Sequence, residues 1–133
     1  MAQYGMKARL DGNLEEVKEK VLQALIAQGF GVVTEIDMQK TLKQKIEVDF
    51  KPYLILGACN PRFAYRALSA DDDIGLLLPC NVVLKQSGNG TEVSIQDPEI
   101  MFSVVDDDTK KVMAGLPQEV KKSLQAALAS LEG

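Results

Sequence analysis

A two-layer sandwich of the α/β (α+β) class, with helices packed against one mixed sheet, is the fold this sequence predicts. Three observations lead there. Short β-branched or apolar runs alternate with stretches whose apolar residues recur every three to four positions. Two of the runs flank Ser87-Gly88-Asn89-Gly90, which has the composition of a hairpin turn. The 133 residues are the length of one domain, residues 1–133, and can bury a real core. The hairpin makes one strand pair antiparallel, so a mixed sheet of roughly four to six strands is expected.

Each element has its own justification. Tyr4 to Arg9 reads as a first strand. Asn13 then fits an N-cap, with Glu16 three residues on in the pattern of a capping box. Leu14, Val17, Val21 and Leu25 follow at helical spacing, widened by Leu22 and Ile26, and Gly29 falls where a terminating glycine belongs. Phe30 to Ile36 is a β-branched strand. Asp37 is placed to cap a short helix through Met38, Leu42 and Ile46. Tyr53 to Ala58 is nearly all apolar, as in a strand covered on both faces.

Asn60 and Pro61 suit the N-cap and first turn of a third helix carrying Phe63, Ala64, Ala67 and Leu68. Ile74 to Lys85 reads as one long extended stretch that Pro79 interrupts with a bend or a bulge, or by an edge position. Thr91 to Gln96 alternates, with Val93 and Ile95 inward. Asp97-Pro98 opens a short helical turn. A final helix carries Val120, Leu124, Ala127, Leu128 and Leu131, with Pro117 in its first turn.

Composition narrows the chemistry. There is no histidine, which removes imidazole as base, zinc ligand and pH switch, and with it a Ser-His-Asp or Cys-His nucleophile within one chain. The net charge of -4 argues against a nucleic-acid partner, because phosphate contacts need a basic stripe. No apolar run is long enough to span a bilayer, and the start lacks the pattern of a signal peptide, so no membrane association and a cytoplasmic location are expected. Two cysteines in such a compartment default to free thiols.

Those cysteines mark the candidate site. Each precedes an asparagine, in Ala58-Cys59-Asn60-Pro61 and Leu78-Pro79-Cys80-Asn81-Val82. Cys59 lies between an apolar strand and a helix start, where the macrodipole and unpaired N–H groups favour a thiolate. It can equally be the last, inward-facing residue of the strand, an inert buried thiol. Cys80 follows a proline in an apolar run and reads as a small hydrophobe. Asn60 is a sufficient helix cap. Asn81 is unusual for a strand interior, so its amide needs either a backbone group freed near Pro79 or a ligand. Asp37 ends a strand; beyond capping, it can face a site at the sheet edge. Asp37, Cys59, Asn60, Cys80 and Asn81 are therefore the candidate ligand-binding residues, and Cys59 the candidate catalytic one. The acidic runs Asp71 to Asp73 and Asp106 to Asp108 lack the spacing of a calcium loop, and no metal site is assigned. No phosphate-cradling motif is present, and the sequence leaves the cofactor unknown.

Four stretches also carry a resemblance: Gly29-Phe30-Gly31-Val32-Val33-Thr34-Glu35-Ile36-Asp37, Ile55-Leu56-Gly57-Ala58-Cys59-Asn60-Pro61, Gly75-Leu76-Leu77-Leu78-Pro79-Cys80-Asn81-Val82 and Asp97-Pro98. The chain resembles the domain-of-unknown-function 302 family over nearly its whole length. That resemblance implies a two-layer α/β fold and a small homodimeric cytoplasmic protein, with no established activity, cofactor or catalytic residue.

Three functions compete on this reading. One is a homodimeric module that binds a small-molecule ligand or a partner, with the apolar residues Phe102, Val104, Val105 and Met113 covering the core or forming a subunit contact. A second is a thiol-dependent enzyme or redox protein using Cys59, with Cys80 or Asn81 beside it. A third is a metal or small-cofactor carrier.

Overall fold

The computed structural model describes residues 3–132. Five strands form one sheet: β1 (Gly5–Asp11), β2 (Gly31–Asp37), β3 (Tyr53–Cys59), β4 (Cys80–Ser87) and β5 (Gly90–Gln96). Their order across the sheet is β1-β5-β4-β3-β2, and every neighbouring pair is antiparallel. The sheet is thus not mixed. Helix α1 (Leu14–Ala27) carries the chain from one edge strand to the other, so β1 and β2 run the same way without touching. Helix α2 (Met38–Ile46) returns it to the strand beside β2, and this reverses its direction.

Capping chemistry sets most boundaries. The Asn13 side chain accepts from the Glu16 N–H at 3.0 Å and starts α1. At the other end Gly29 has φ +84°, and the Gly29 and Phe30 N–H groups reach back to Ile26 and Leu25 carbonyls. That closure needs a residue free of a Cβ penalty. The Asp37 carboxylate accepts from the Lys40 N–H at 3.0 Å and starts α2. Asn60 caps helix α3 (Pro61–Ala70). Asp97 and Asp106 cap two short helices, α4 (Pro98–Met101) and α5 (Asp107–Val112), before the long closing helix α6 (Leu116–Glu132).

The expected extended stretch from Ile74 is a correction. Asp71 caps a 3₁₀ turn over Asp72–Leu77, and β4 begins only at Cys80. Proline bars Leu78 from the helical region, which ends the turn there. A run of apolar residues looks the same in either state; the cap decides.

One face of the sheet packs on the helices. Leu54, Leu56, Val82, Leu84, Val93 and Ile95 point there and meet Val17, Val21 and Leu25 of α1 and Leu124 and Leu128 of α6, all buried. Leu56, Val82, Leu84, Val93 and Leu124 have no solvent exposure, and full burial of each such side chain stabilises the fold by about 1.5–3 kcal/mol. Phe102 and Met113 are also buried, so that apolar region covers the core, while Val104 is exposed. The opposite face carries no helix layer. On it Glu92 pairs with Lys7 at 3.0 Å and lies 3.9 Å from Lys85. The hydrogen bond from Lys7, ahead of the opposing cost of burial, holds the Glu92 carboxyl below its ordinary pKa. Strand β3 is therefore covered on one face rather than on both.

Candidate functional site

Antiparallel pairing decides which candidate residues can meet. Cys59 closes β3 and Cys80 opens β4; Ala58 is the cross-strand partner of Cys80. Both thiols therefore sit at one end of the sheet, beside the first turn of α3. They line the same small void with Phe30, Phe63 and Ala67. That void measures about 20 Å³, room for roughly one water molecule and no metabolite.

The two thiols differ. Both are free, Cys80 buried and Cys59 half-buried. Burial, aided by the nearby Cys59, pushes the Cys80 thiol up to about 11. Cys80 is thus a protonated, poorly nucleophilic core residue at neutral pH.

Asn60 spends both ends of its amide on the fold. Its oxygen accepts from the Arg62 N–H at 3.1 Å and the Phe63 N–H at 3.4 Å. Its nitrogen donates to the Gln28 carbonyl at 3.4 Å, tying the end of α1 to the start of α3. Asn81 is exposed on the helix-free face, so the cost of a buried amide never arises. Its backbone N–H donates to the Gln96 side-chain oxygen at 3.0 Å. Beside it, Thr34 and Pro79 close over Gly57, where an added Cβ would come 2.6 Å from Pro79 Cγ. The Asp71, Asp72 and Asp73 carboxylates approach within 4.8 Å of one another, but Asp71 is engaged as the cap of its turn.

Asp37 does not join the thiols. It pairs with Leu54 near the start of β3, whereas Gly31 pairs with Cys59 at the far end. Six residue steps of extended chain put about 20 Å between those two ends of the sheet. At the Asp37 end lies a cleft of about 390 Å³. Its floor is apolar, from Leu14, Pro52, Tyr53 and Leu54, and polar groups from four separate segments rise around it.

Each wall has a reason to be where it is. The turn through Gly12 and Asn13 delivers the first residues of α1, and Thr91 pins that turn by donating to the Gly12 carbonyl at 3.0 Å. Gln39 is held by donating to the Phe50 carbonyl at 2.9 Å. Asn89 accepts from Arg9 at 3.1 Å, which fixes the hairpin tip. Glu15, Gln39, Gln86 and Asn89 are therefore cleft-lining residues that sequence reasoning did not single out. The signal was faint: they are turn, cap and strand-end residues, brought together only by the strand order.

No helix among the described residues is long and apolar enough to cross a membrane. The family profile described as "Domain of unknown function DUF302" matches residues 6–131. The crystal structure of the uncharacterized conserved protein DUF302 from Bacillus stearothermophilus is similar, at 26% sequence identity and a TM-score of 0.82. The alignment covers 96% of this chain and 98% of that one. Among curated proteins none matches.

Proposed function

The chain belongs to the DUF302 family, and on that premise we propose that it is a small homodimeric module that binds a small-molecule ligand, with the Asp37 end of the sheet as its binding site. One observation carries this reading: the cleft of about 390 Å³ with an apolar floor and polar groups converging from four segments. Small-molecule sites have that size and that make-up. The void between the thiols has neither. Burial and a raised pKa favour a structural role for Cys80 over thiol chemistry. Free cysteines accord with a reducing, cytoplasmic setting.

The dimer rests on surface apolarity. Val33, Ile36, Ile46, Val48 and Phe50 are all exposed, and all come from edge strand β2, α2 and the segment that follows. A second copy covering that edge would bury them.

Crystals soaked with a fragment library test the binding site. Fragments seated against Leu54 and Asp37 support it; fragments found repeatedly elsewhere, with this cleft empty, overturn it. Sedimentation equilibrium at micromolar concentration tests the dimer, and a one-subunit mass overturns that part.

A further inference from the structure

We infer that the cleft selects an organic cation, an ammonium group carried on an apolar body. This rests on the reading of the cleft as a binding site and adds the class of its ligand. The full charges lining the cleft are both negative, Glu15 and Asp37. Asp37 commits one carboxylate oxygen to the Lys40 N–H, which leaves the other available. Glu15 has no ion pair among the described residues. Lys18, one turn along α1, is held by Glu35 and feels Glu15 only as a more distant charge.

Of the other nearby cations, Arg9 and Lys43 are engaged elsewhere. Arg9 donates to the Ser87 carbonyl at 2.8 Å and to Asn89, and lies 3.8 Å from Asp11. Lys43 pairs with Asp49 at 2.8 Å. Neither Lys40 nor Lys51 lines the cleft.

One feature pulls the other way. The start of α1 presents unpaired N–H groups that would welcome an anion. That attraction is equivalent to roughly half a positive charge, against two full negative ones. The carboxylates win. An inorganic ion would leave the apolar floor unused, whereas an alkyl or aryl body would cover Leu14, Leu54 and Pro52.

Three probes of matched length separate this inference from the reading beneath it: hexylamine, 1-hexanol and hexanoate at pH 7, followed by backbone amide chemical shifts. Hexylamine is expected to move the amides of Leu14, Glu15, Gln39 and Thr91 and to bind at least about tenfold more tightly than either other probe. The double variant Glu15→Gln with Asp37→Asn, which keeps a capping side chain at position 37, should erase that preference. If hexanol or hexanoate binds in the cleft as tightly as hexylamine, or if the double variant keeps the preference, the cation class is wrong while the cleft stands as a site. If no probe moves those amides, both fall.

Discussion

Raising the pH from 9 to 11 should remove stability that Cys80 confers. Its thiol is protonated in the folded chain up to about 11, against an ordinary value of 9.0. Below pH 9 the thiol is neutral whether the chain is folded or unfolded, and it costs nothing. Between 9 and 11 the unfolded chain releases the proton and the folded chain keeps it, so stability falls as pH rises. Two units at about 1.36 kcal/mol each set a limit of about 2.7 kcal/mol, of which about 2 kcal/mol is lost between pH 9 and 11. The assay is urea denaturation at a series of pH values, for the natural chain and for Cys80→Ala. The alanine variant starts lower because a buried sulfur is lost. The informative quantity is the gap between the two chains, which should shrink between pH 9 and 11 by about 2 kcal/mol. The same protonation makes native Cys80 about a hundredfold less ionised at pH 8 than an ordinary thiol, since each pKa unit is a factor of ten. A constant gap between the chains, or alkylation of native Cys80 as fast as that of Cys59, would refute a sealed, desolvated sulfur.

Three further substitutions test the structural account. Gly57→Val should cost about 1–3 kcal/mol in chemical denaturation, because Thr34 and Pro79 already occupy the space above the glycine. Asn60→Ala should cost about 1–2 kcal/mol through the lost cap, and Asn60→Asp less, since it keeps the acceptor and gives up only the bond to the Gln28 carbonyl. Thr91→Val should cost about 1 kcal/mol by leaving the Gly12 carbonyl without its donor, and should loosen the cleft wall. Faster amide hydrogen exchange at Asn13 and Leu14 in that variant would report the loosening.

Much of the fold was legible because local chemistry and tertiary structure agree. Asn13, Glu16 and Gly29 bracket α1 through caps that act within a few residues, and the apolar spacing between them matches the buried stripe Val17, Val21, Ala24 and Leu25. The same holds for Asp37 and Asn60. Strand direction was not legible in this way. Nothing local at α2 tells whether a nine-residue helix crosses the sheet or turns back beside the strand it left. That choice, made by packing, turned the expected mixed sheet into an antiparallel one.

Strand order also decided the candidate site. The two Cys-Asn segments suggested a shared site, and β3 and β4 do bring the sulfurs to one void. The amides then part company, with Asn60 absorbed in caps and Asn81 turned to the other face. Asp37 was singled out as a strand-end carboxylate, but its neighbours in the cleft are Glu15, Tyr53 and Asn89. These lie far apart along the chain, and only the register of four antiparallel ladders assembles them.

The most direct measurement is an amide chemical-shift map recorded while the protein is titrated with a library of small metabolites. The account predicts that any binder perturbs Gly12 to Glu15, Asp37 to Gln39 and Gly90 to Thr91, leaving Cys59 to Phe63 unmoved. Binders that instead shift Cys59 to Phe63 together with Cys80, and spare the Asp37 end, would contradict it.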